Sequence, residues 1–184
     1  MKRIILILVV MIVGAYWGFR YYQKTQKAEE DFKKVGNMTI LSSVFTNNSQ
    51  IPEIYSCRGG SVSPPLEFLD VPANASSLAL IMDDPDAPIG TFVHWVIYNM
   101  PPNTKGIEEH ATPPGKMAPN SLGRASYTAP CPPSGTHRYF FKLYALDQNL
   151  TETEIEGKAS LEKAMEGHIV AQSRLVGLFT YKEE

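Results

Sequence analysis

Short apolar segments separated by turn residues recur along most of the chain, and their spacing predicts a β-sandwich rather than alternating strands and helices. The clearest strands are Met38 to Leu41, Leu66 to Val71, Leu78 to Met82, Phe92 to Met100 and His137 to Leu146. Strand alternation puts His137, Tyr139, Phe141 and Leu143 on one face, with Arg138, Phe140, Lys142 and Tyr144 on the other. In the Phe92 strand, His94 shares a face with Phe92, Val96 and Tyr98, opposite Trp95. A histidine in so apolar a strand needs a hydrogen-bond partner to be buried at tolerable cost. Toward the C-terminus the period becomes helical. Ser160 is placed to cap a short helix carrying Leu161, Ala164, Met165 and His168, with Glu162 in its first turn. A last strand-like run, Ala171 to Tyr181, is broken by Gly177.

Two stretches depart from this pattern. Pro101 to Gly135 holds eight prolines and little periodicity; a loop of that length in a compact domain carries function or hidden regular structure. At the other end, Lys2 and Arg3 precede an uncharged run from Ile4 to Phe19 that stops at Arg20. No face of that run is polar, which argues against a buried core helix. The aromatics Tyr16, Trp17, Phe19, Tyr21 and Tyr22 resemble an interfacial belt, so the run reads as an uncleaved transmembrane anchor over residues 1–22. The alternative is a cleaved signal ending near Ala15, which would release a secreted protein. Residues 23–36 then form a juxtamembrane stalk and 37–184 the domain, single-pass in the membrane and extracytoplasmic.

Bulk composition fits one globular domain. The 184 residues are 43% hydrophobic and 20% charged with a net charge of -2, which signals neither disorder nor a nucleic-acid partner. The only cysteines, Cys57 and Cys131, lie in Gly/Pro-rich loops. In an exported domain such a pair suggests a disulfide, although two separate thiols fit the same spacing.

The candidate chemistry gathers near Asp83-Asp84-Pro85-Asp86-Ala87-Pro88, directly after the Leu78 strand. Its prolines fix φ and remove donors, making a rigid turn able to hold Asp84 and Asp86 in set directions. That turn, the run Phe92-Val93-His94-Trp95, and Tyr127-Thr128-Ala129-Pro130-Cys131-Pro132-Pro133-Ser134-Gly135-Thr136-His137-Arg138-Tyr139 resemble the two signature blocks of the phosphatidylethanolamine-binding protein family, most closely its prokaryotic Raf-kinase-inhibitor-like branch. Ser63-Pro64-Pro65-Leu66, Asn120, Gly123, Glu166-Gly167-His168 and Val176-Gly177 extend the likeness from about residue 38 to the end.

The resemblance implies a mainly β, antiparallel Greek-key sandwich with a short C-terminal helix. It also implies a small pocket for phosphate or a phospholipid head group, formed by Asp84, Asp86, Pro88, His94, His137 and Tyr139, with Ala129 and Pro130 as one wall. Ala129 departs from the glycine common in the family, and its methyl could narrow the pocket. An aspartate beside a histidine accepts from one ring nitrogen and leaves the other to face a ligand, so both histidines are expected to bind the anion in charged form. No metal or other cofactor is implied, since the carboxylates and imidazoles lack a compact ligand motif.

A binding protein rather than an enzyme is therefore expected. The competing readings are an inhibitor acting through an outer loop on a protease or other envelope protein, and a His/Asp hydrolase. The hydrolase would have no G-x-S-x-G elbow and would need Cys57 or Cys131 as nucleophile.

Overall fold

The computed structural model describes residues 13–16, 18–19, 35–151, 153 and 155–181. The chain divides into two compact units, Met1–Val35 and Gly36–Glu184. In the first, residues 13–16 and 18–19 are helical. Among the described residues no helix is long and apolar enough to cross a membrane. That overturns the transmembrane helix expected over residues 1–22 and the single-pass, extracytoplasmic placement drawn from it. The rest of that stretch and the stalk through residue 34 lie outside the described residues.

The second unit is built of strands. In chain order they are β1 (Thr39–Leu41), β2 (Ser49–Gln50), a 3-10 turn (Glu53–Tyr55), β3 (Leu66–Leu69), β4 (Ser77–Asp84), β5 (Phe92–Met100), β6 (Gly106–Ile107), β7 (Lys116–Met117), β8 (Thr136–Leu146), α1 (Lys158–Met165) and β9 (Ile169–Thr180). A three-stranded sheet has the order β1-β3-β6, and a six-stranded sheet the order β2-β9-β8-β4-β5-β7. Neighbours are antiparallel except β2 and β9, which run parallel. Between the sheets lies one core, in which Ile40, Leu66 and Phe68 of the small sheet join Leu80, Met82, Tyr139, Phe141 and Leu143 of the large one. Full burial of each such side chain contributes about 1.5–3 kcal/mol.

One local expectation is met and two change. The segment from Pro101 to Gly135 contains β6 and β7, which edge the two sheets. Helix α1 begins at Lys158 after Gly157, whose φ of 152° suits a residue without a side chain, and Ser160 does not cap it. The Ser160 hydroxyl sits inside the first turn, accepting from Glu156 N–H and donating to the Gly157 carbonyl, while Glu162 pairs with Lys158 one turn earlier at 3.6 Å. Gly177 does not interrupt β9. A Cβ there would stand 2.5 Å from Ile51 Cγ1 and 3.0 Å from Phe45, so the glycine lets those core side chains close onto the sheet.

Candidate functional site

The core face of the large sheet turns polar at one end. Along β4, Leu78, Leu80 and Met82 face the core, and the next position on that face is Asp84; along β8, Tyr139 and Phe141 lead back to His137. Asp84 and His137 are both buried, and Nδ1 of His137 lies 2.7 Å from Asp84 Oδ2. A carboxylate only accepts, so the ring donates from Nδ1 and Nε2 is left for the cavity. The other oxygen, Oδ1, accepts the Asp86 backbone N–H at 2.8 Å, which ties the Pro-rich turn to the same carboxylate.

His94 arrives by an irregularity of β5. Asp83 pairs with Val93 and Met82 with Trp95, so β5 has one residue more than β4 at this point, and that residue is His94. Such a bulge re-aims a side chain. It lets Trp95 enter the core while His94, one residue earlier, lines the cavity. The His94 ring packs against Phe92 at 4.8 Å and edge-on to Tyr139 at 5.2 Å. Its Nδ1 lies 2.8 Å from the Thr128 carbonyl, and Thr128 N–H donates back to the His94 carbonyl at 3.0 Å. Burial depresses the His94 pKa below its ordinary 6.5, outweighing the Thr128 carbonyl, Asp84 and Asp83, which favour the charged form. The charged form expected of both histidines is therefore disfavoured at His94. Burial, reinforced by Asp84, pushes the Tyr139 hydroxyl well above its ordinary value, so it keeps its proton.

These groups line a cavity of about 700 Å³. Asp84, Pro88, His94, Ala129, His137 and Tyr139 are all on its wall. Asp86 and Pro130 are not. The Asp86 carboxylate accepts from Arg138 three times, from Nε at 2.8 Å, Nη2 at 2.7 Å and the backbone N–H at 3.0 Å, bracing the turn against β8. Pro130 is buried behind the wall, its carbonyl accepting from Cys57 N–H at 3.0 Å. Beside it Cys57 and Cys131 are joined in a disulfide with Cα atoms 5.5 Å apart, and Cys131 itself lines the cavity.

Sequence reasoning passed over the mouth. Phe92, Ser121, Leu122, Ile89 and Pro133 also line the cavity, with Ile89 fully exposed and Leu122 half exposed. The signal available for Ile89 was its place between Pro88 and Gly90, an apolar residue at a turn tip. Asn120 supports this side: its side chain donates to the Ser126 carbonyl and Thr128 Oγ1, both at 2.9 Å, and accepts from Leu122 N–H at 2.9 Å.

The family model for phosphatidylethanolamine-binding proteins matches residues 41–180. The chain belongs to the phosphatidylethanolamine-binding protein family. Among its relatives, a UPF0098 protein of Methanothermobacter thermautotrophicus is 44% identical over 148 residues, covering 77% of this chain and 98% of the relative. One from Chlamydia muridarum is 43% identical over 152 residues, covering 80% and 100%. Of solved structures, the PEBP homologue CT736 from Chlamydia trachomatis superposes with a TM-score of 0.74 at 41% identity, over 80% of this chain and 98% of that one. YbcL of E. coli, described as a member of the mammalian PEBP family, gives 0.73 at 24% identity over 80% and 100%, a likeness of fold.

Proposed function

We propose that the cavity binds a small oxyanion, phosphate or the head group of a phospholipid, and that the protein works by binding rather than by catalysis. The observation that carries the reading is the buried Asp84–His137 pair at the cavity wall, which fixes one imidazole nitrogen and aims the other inward. Tyr139, protonated through burial, lines the same space. An apolar lip of Ile89, Leu122, Pro88 and Pro133 suits a ligand with a hydrocarbon part beyond its anionic head. Both cysteines, the thiols a hydrolase would use as nucleophile, are held in the disulfide, which favours binding over chemistry. Two or three charge-assisted bonds of about 1.5–3 kcal/mol barely exceed an association cost of at least 4 kcal/mol, so bare phosphate is expected to bind weakly and the lip to supply the rest. Calorimetric titration with phosphoethanolamine tests the reading. His137→Ala should abolish the binding heat while the far-UV spectrum stays that of the folded parent, with a lower melting temperature because buried Asp84 loses its partner; undiminished affinity in the variant contradicts it.

A further inference from the structure

We propose that the Cys57–Cys131 bridge is a redox latch on the cavity: the oxidised protein holds the anion, and a dithiol reductant opens the bridge and weakens the hold. The proposal rests on the anion-site reading above and adds the regulation of that site.

The segment that the bridge fastens is part of the cavity itself, since Ala129, Cys131, Pro132 and Pro133 all line it. Its ends are held by backbone hydrogen bonds. At one end Thr128 N–H donates to the His94 carbonyl at 3.0 Å, and at the other the Gly135 carbonyl accepts from Tyr181 N–H at 2.7 Å. Between these anchors Pro130, Pro132 and Pro133 bring no N–H with which to pair the segment to a neighbour. Its middle is tied to the loop after the 3-10 turn by the bond from Cys57 N–H to the Pro130 carbonyl, 3.0 Å, and, one residue on, by the disulfide.

That loop is a firm post. Gly59 N–H and Ser61 N–H both donate to the Ser56 carbonyl at 3.2 Å, and Gly60 N–H donates to the Ile54 carbonyl at 2.8 Å. A Cβ on Gly59 would run into the Glu53 carbonyl oxygen, so the turn is closed tightly on itself. Opening the bridge therefore leaves Cys57 in place and frees the Cys131 side, which is the side that faces the ligand.

Both cysteines are exposed, the setting in which a disulfide is open to exchange. A thiolate of the dithiol attacks one sulfur and forms a mixed disulfide, which the second thiol of the reagent then displaces. The products are two cysteine thiols and the cyclic disulfide of the reductant, with two electrons and two protons passed to the protein. The coupling is reciprocal by linkage: whatever factor reduction takes from the affinity, bound anion adds to the resistance of the bridge.

The test titrates phosphoethanolamine calorimetrically into the full chain in three states, oxidised, reduced with dithiothreitol, and reoxidised, with alkylation and intact mass reporting the bridge. The reduced protein should keep the far-UV spectrum of the folded domain, bind roughly fivefold or more weakly, and recover its affinity on reoxidation. In saturating phosphoethanolamine, the ratio of reduced to oxidised dithiothreitol that opens half of the bridges should rise by the same factor. Equal affinity of the oxidised and fully reduced forms overturns the inference and leaves the anion site standing. Unfolding on reduction overturns it as well, because the bridge would then hold the domain rather than the wall. Absence of binding by the oxidised protein overturns both readings together.

Discussion

At His94 the fold sets burial against two carboxylates, and burial prevails. Because the native ring resists protonation, the unfolded chain, with a histidine pKa of about 6.5, takes up the proton first as the solution is acidified. The stabilisation is complete above that pH and is lost as pH falls through the depressed native value. Urea denaturation at pH 7.5 and at pH 5.5 should show the parent losing stability in acid and His94→Phe losing less; identical pH dependence contradicts this account. The two aspartates of the turn show what residue-level reading could and could not reach. Both Asp84 and Asp86 were expected at the pocket, yet only Asp84 meets a histidine, while Asp86 is taken by Arg138. Strand alternation already separated His137 from Arg138, one facing the core and the other outward, so carboxylates bound to them must diverge. Nothing in the sequence alone indicates which aspartate follows which partner.

Among elements, long strands were legible because they are sustained apolar runs bounded by turn residues, as along β4 and β8, whereas irregular joints were not. The β5 bulge that delivers His94 depends on pairing with β4, a contact between segments that no local pattern records. The α1 start was misread because Ser160 has cap chemistry, while Gly157 supplies the backbone geometry and Ser160 bonds within the first turn. Short β6 and β7 escaped because two-residue strands carry no periodicity. The Pro-rich wall between Thr128 and Gly135 contains Pro130, Pro132 and Pro133, which lack backbone donors, and the Cys57–Cys131 bridge ties it to the loop after the 3-10 turn. The bridge spans 74 residues, for which chain entropy gives a stabilisation of about 4.5 kcal/mol. Replacing both cysteines by serine should lower the unfolding free energy by about 2–4 kcal/mol in denaturant titration and weaken anion binding, since Cys131 lines the cavity. Unchanged binding would mean that the wall holds its shape without the bridge.

For the whole molecule, the mainly β domain and its family were readable because two long motif blocks and regular strand spacing agree with each other, and the family match over residues 41–180 bears out that recognition. The N-terminal run misled because its hydropathy, flanking charges and aromatic residues together suggested a span, whereas no helix among the described residues has the length and apolarity to make one. What the fold achieves is convergence: the consecutive strands β4 and β5, and the Pro-rich loop with β8 some thirty residues further on, bring Asp84, His94, Thr128 and His137 to one cavity. The four histidines of the chain provide an internal control for that claim, because His94 and His137 line the cavity whereas His110 is exposed and His168 pairs with Asp147 at 3.0 Å. Two-bond proton–nitrogen correlation spectra of the histidine rings, recorded while phosphoethanolamine is added, read all four at once. The Nε2 resonances of His94 and His137 should move together along one saturable curve while His110 and His168 stay in place; shifts at His110 or His168 with His94 and His137 unmoved contradict the cavity as the binding site.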